Sequence, residues 1–200
     1  MIKLRKSKER GYFDHGWLKS FHSFSFGNYY DPAHTHFGNL RVINEDFIAA
    51  NQGFPTHPHD NMEIITYIIS GALSHKDSMG TTSTINAGEV QLMSAGTGVF
   101  HSEFSGQQKG ETHLLQIWIF PNVKNTPPSY QQKNFVKTFK NNALNLVVSS
   151  DGAQGSLQIK QDCEIHFGKF SAGEKFDFDI AENRKIWIQV IKGELEIGDF

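Results

Sequence analysis

The chain has one cysteine, six prolines, no apolar run of membrane-spanning length and almost no net charge. Each shortage excludes something. A lone Cys163 rules out an internal disulfide and fits a reducing cytosol, so a cytoplasmic location is expected. Nineteen basic against 21 acidic residues leave a net charge of −2, so neither nucleic acid nor an anionic membrane is a bulk-charge partner. No segment approaches the roughly 18 apolar residues of a membrane helix. The basic start, MIKLRKSKERG, never opens into an apolar signal core, which argues against export. Sustained helical periodicity with caps is missing too, so helix should be minor.

Ten histidines and 17 phenylalanines are the excesses. Segments 37–50, 62–73, 88–96, 113–120, 144–150 and 185–197 are rich in Ile, Val, Thr and aromatics and are bounded by Gly, Asn, Asp or Pro. Many short strands with glycine-marked turns predict an all-β sandwich or barrel. Two hundred residues suffice for one large domain or two small ones. The polar stretch 121–142 holds three prolines and reads as a linker, with lobes at 1–120 and 143–200. YIISGALSH (67–75) and QVIKGELEI (189–197) share a strand–Gly–strand pattern that aligns Gly71 with Gly193. If the lobes are copies, only the N-terminal one carries a site.

FPTHPHDNMEII (54–65) places His57 and His59 two residues apart. On a strand, residues i and i+2 share a face, so both imidazoles point into one space. GVFHSEFSG repeats the spacing with His101 and Glu103. If the two strands face each other, three imidazoles and a carboxylate converge, a ligand set for Fe(II), Mn(II), Ni(II), Cu(II) or Zn(II). A His-x-His pair alone is more often surface composition. His34 and His36 form such a pair in a loop after Pro32, with no second pair nearby, and are read as a decoy.

HPHDNMEIITYIISGALSHKDSMG, then AGEVQLMSAGTGVFHSEFS, and upstream HGWLKSFHSFSFGNYYDP resemble the pirin-like branch of the cupin superfamily. The likeness is close over most of residues 10–120 and looser afterwards. It implies a bicupin of two double-stranded β-helix (jelly-roll) barrels, with one mononuclear metal in the first barrel. The ligands it implies are His57, His59, His101 and Glu103, and the ion it implies is Fe(II). Some members of that family are quercetin 2,3-dioxygenases, which take a small aromatic substrate and O2. Others are regulatory iron proteins that respond to redox state through a binding partner. Under the first implication Glu103 is the catalytic base toward the flavonol 3-hydroxyl. Chains that resemble this one continue past the position of Phe200, so the second barrel is expected to be incomplete: open, truncated, or completed by another copy in a homo-oligomer.

Further residues are candidates of lower rank. Glu63 orients a ligand imidazole if it points inward, and is an ordinary outward strand residue otherwise. Phe54, Met62 and Phe100 are pocket candidates, with core packing the preferred reading of each. His75 and Asp77 read as polar turn residues, His113 as a structural histidine, and His15 as having no site role.

Overall fold

The computed structural model describes residues 2–198 and is all-β, with two single-turn 3-10 segments at Ser7–Glu9 and Ala153–Gly155. Fourteen strands follow in order: β1 (Gly11–Asp14), β2 (Leu18–His22), β3 (Leu40–Ala49), β4 (Gly53–His59), β5 (Glu63–Ser70), β6 (Ala72–Asp77) and β7 (Thr82–Asn86). Then come β8 (Glu89–Ser94), β9 (Val99–Ser105), β10 (Glu111–Ile119), β11 (Ser129–Asn134), β12 (Leu144–Ser149), β13 (Leu157–Gln158) and β14 (Ile165–Gly168). A seven-stranded sheet runs β1-β2-β3-β10-β5-β8-β11, a four-stranded sheet runs β4-β9-β6-β7, and a three-stranded sheet runs β13-β12-β14.

The first two sheets face each other as a jelly-roll. Leu18, Ile48, Ile68 and Leu114 from the larger sheet close on Leu73 and Ile85 from the smaller, and all six are buried. The larger sheet is apolar on both faces. Its outer side, with Ile65, Val90, Leu92 and Ile117, packs against Val147, Val148, Leu157 and Ile159 of the following lobe. Central strands covered on both faces read as continuous apolar runs, as EIITYIIS does.

Two stretches differ from the sequence expectation. Within 121–142, Ser129–Asn134 is a strand, since β8 offers a free edge and β11 pairs with it from Ser129↔Ser94 to Asn134↔Glu89. Conversely, 185–197 forms no strand. Its alternation survives as a row of half-exposed Ile186, Ile188, Val190, Leu195 and Ile197, but no described strand supplies a ladder for it, and period-2 patterning without a partner does not make a strand. Trp187 pins the segment to the first lobe, its ring 4.8 Å from Phe24 and 5.7 Å from Phe37. Gly193 shares with Gly71 a left-handed backbone (φ 88° and 85°), but only Gly71 joins two strands. The last two residues of the expected C-terminal lobe lie outside the described residues. Among those described, no helix is long and apolar enough to cross a membrane.

Candidate metal centre

β9 alternates strictly: Val99, His101, Glu103 and Ser105 are buried, while Phe100 and Phe104 face out. β4 is the edge strand of the same sheet, which is where prolines are tolerated, and it carries Pro55 and Pro58. Its pairing with β9 sets Gly53 opposite Phe104, Phe54 opposite Glu103 and His57 opposite His101, with a bulge between Phe54 and His57. The bulge returns His57 to the face occupied by His101.

The three histidines converge. Ring centroids lie 4.4 Å apart for His57–His101 and 4.8 Å apart for both His57–His59 and His59–His101, and one nitrogen from each lies within 4.8 Å of the others. His57 Nδ1 is 2.8 Å from the carbonyl oxygen of Pro55, to which it donates, leaving Nε2 as the free lone pair. His59 Nε2, both nitrogens of His101 and Glu103 Oε1 are buried without a hydrogen-bond partner. Orphaned polar atoms at this density are costly unless something fills the space between them, and a cation suits their lone pairs.

Glu103 belongs to a second, overlapping triad. Its carboxylate, His101 and His75 lie within 4.8 Å of one another and all three residues are buried. Gln116 Nε2 donates to Glu103 Oε2 at 3.1 Å, which leaves Oε1 free. Without a cation, burial raises the Glu103 carboxyl to about 8, helped by the Asp46 carboxylate and opposed by the Gln116 hydrogen bond. Burial, with neighbouring imidazoles, lowers His59 to about 4 and His101 to about 2. His59 and His101 are therefore neutral and ready to ligate at neutral pH. Three imidazoles and a carboxylate fit a divalent first-row ion.

The remaining candidates separate cleanly. Glu63 points away from the site: on the opposite face of β5, its carboxylate accepts from Ser94 Oγ at 2.8 Å and from the Lys160 backbone N–H at 3.2 Å, joining the two lobes. The inward possibility fails because Ile64 and Thr66, not Glu63, share the face of Gln116. Phe100 is 56% exposed and lies outside both the core and the cavity that Phe54 lines. Met62 packs with Met79 and Trp118 around Ile64 and Met93. Phe54 does both jobs, its ring 5.3 Å from Trp17 and 6.4 Å from His57 while it lines a cavity. His34 sits apart, tied to Asp31 at 2.8 Å.

Sequence reasoning passed over three residues. His75, read from the sequence as a polar turn residue, lies on β6, wholly buried and held by Asp77 at 2.9 Å. The alternation of ALSHKD was the available signal, since it puts His75 on the buried face with Leu73. Trp118 lies edge-on to His59 at 4.9 Å and shields it. His15 lines the cavity. His113 is structural, stacked 4.0 Å from Phe47 with Nε2 2.9 Å from Glu45.

Comparison with known proteins decides the family. The Pirin model matches residues 3–119, and the model described as quercetinase C-terminal cupin domain matches 146–199. The chain belongs to the pirin family. This pirin is 48% identical over 198 residues to an Escherichia coli protein named quercetin 2,3-dioxygenase, covering 99% of this chain and 84% of the relative. The crystal structure of YhhW from Escherichia coli superposes with a TM-score of 0.80 at 50% identity, over 83% of this chain and 70% of that one. The structure of the same pirin in complex with nickel(II) gives 0.79 at 49%, over the same shares.

Proposed function

We propose that this pirin is a metal-dependent dioxygenase that opens the heterocycle of a flavonol such as quercetin with O2, releasing carbon monoxide. The observation that carries the reading is the convergence of three imidazoles beside a buried carboxylate whose Oε1 has no partner. Kinship with a protein named for that activity supports it. His57, His59, His101 and Glu103 would hold the ion, with Fe(II) the proposed occupant and Mn, Ni, Cu or Zn the alternatives. A bound ion supplies Lewis-acid and redox chemistry.

The chain's own residues do the rest. Glu103 Oε1 takes the proton of the flavonol 3-hydroxyl, because the positive charge of an ion reverses the preference of this buried carboxyl for its neutral form. Gln116 holds Oε2 and so fixes which oxygen receives the proton. The Pro55 carbonyl holds the His57 tautomer, and Trp118 keeps water from His59. Phe54, between His57 and the cavity, offers an aromatic face to the substrate.

The test is dioxygen uptake with quercetin after anaerobic Fe(II) loading, comparing wild type with Glu103→Ala and His101→Ala. Uptake that vanishes in both variants is the expected result. An iron-loaded, folded wild type without uptake refutes the dioxygenase and favours a redox-responsive iron protein that acts through a binding partner.

A further inference from the structure

Beside the metal centre lies a cavity of about 210 Å³ walled by Phe13, Phe26 and Phe54. Its floor is polar and takes no part in the chemistry above. Ser20, His22, Asn44 and Asp46 line it, each more than nine-tenths buried. They come from adjacent strands, with Ser20 opposite Asp46 and His22 opposite Asn44 on β2 and β3.

The hydrogen-bond directions on this floor are determined by counting protons. Ser20 has one hydroxyl hydrogen and gives it to the Asp46 carboxylate in a short contact. His22 Nε2, 2.8 Å from the same Oγ, must therefore be the donor of that pair. Its Nδ1 is then a bare lone pair, and it has no partner. Burial lowers His22 to about 4, so the ring stays neutral and keeps that lone pair. Asn44 Oδ1 is a second buried acceptor without a donor. Opposed residues on paired strands carry their Cβ atoms about 5 Å apart. Two neighbouring acceptors, each costly to leave unpaired, belong to residues that line an aromatic-walled space.

We propose that this floor binds the dihydroxylated pendant ring of the aromatic substrate, with His22 Nδ1 and Asn44 Oδ1 each accepting one of two adjacent phenolic hydroxyls. Two unpaired acceptors suit a ligand that donates twice. The phenylalanine walls select a planar ring. The volume admits one ring, being below the roughly 300–1,000 Å³ that encloses a whole drug-sized ligand. The inference rests on the flavonol reading and narrows it to substrates with adjacent ring hydroxyls.

Anaerobic calorimetric titration of the metal-loaded protein tests it, with quercetin against galangin, the flavonol whose pendant ring is bare. Wild type should bind quercetin about tenfold or more tighter. Asn44→Leu, which replaces an unpaired polar group by an apolar one of the same branching, should erase that preference and not lower the melting temperature. Equal affinities in wild type, or a preference that survives Asn44→Leu, overturn the polar floor and leave the flavonol reading standing. Failure of both flavonols to bind overturns the two together. Should Asn44→Leu not fold, the wild-type comparison decides alone.

Discussion

Gly53→Ala is the most revealing single change outside the ligands. A Cβ at position 53 would stand 2.1 Å from the Glu103 carbonyl oxygen and 2.5 Å from Phe104 Cα. Both are backbone atoms that cannot rotate aside. Ordinary contact begins near 3.4 Å, so relief needs a separation of about 1.3 Å (3.4 less 2.1) between β4 and β9. Overpacking of this kind costs roughly 1–3 kcal/mol. At roughly 2–4 °C per kcal/mol for a protein of this size, the metal-free melting temperature should fall by about 2–12 °C. The effect on metal should be larger in proportion. His57 and His59 ride on β4 while His101 and Glu103 ride on β9, and ligand distances tolerate only about 0.2 Å. The assay is metal content after anaerobic reconstitution and dialysis, measured by mass spectrometry beside thermal melts of the stripped protein. Gly106→Ala, whose Cβ would meet Ala72 Cβ at 3.3 Å, is the control and should lose neither metal nor much stability. Full metal occupancy in Gly53→Ala with an unchanged melt would refute the claim that this close approach sets the site.

Leu73→Ala empties a fully buried position between the two sheets and should cost about 2–5 kcal/mol in denaturant unfolding. A ligand present at a hundred times its Kd adds about 2.7 kcal/mol to stability, so loading metal should raise the melting temperature by several degrees. His57→Ala should abolish that rise while leaving the melt of the stripped protein near wild type, since His57 is only half-buried. Burial raises the Asp46 carboxyl from 3.8 to about 6, against the Ser20 hydrogen bond. A folded-state pKa above the unfolded one means that its favourable contribution is complete below about pH 4 and is lost as pH rises through 6. The loss is on the order of 3 kcal/mol at most. Urea melts of the stripped protein across pH 4–7 should show this slope, and Asp46→Asn should flatten it; an unaltered slope in that variant would place its origin elsewhere.

The all-β class was legible because strand signals are local. Alternation, β-branched runs and glycine turns act within a few residues, and five of the six expected segments pair as strands. The sixth, 185–197, has the same local signal and no ladder. Pairing is a property of two segments, and patterning in one of them cannot report the other. The same limit placed Ser129–Asn134 in a connection, since a polar strand looks like a linker until β8 is known to lie beside it.

At the site, which side chains share a face could be read from their spacing. His57 with His59, and His101 with Glu103, follow from the period of two along an unbroken stretch of strand. Tertiary structure decided how the two pairs meet. The bulge after Phe54 and the bare Cα of Gly53 bring β4 onto β9 in a register that opposes His57 to His101. It also decided what surrounds them: His75 and Gln116 against Glu103, Trp118 over His59, and Glu63 turned away to the second lobe. Those partners come from strands far apart in the chain, and their placement depends on sheet order and twist. Spacing along one strand carries no record of either.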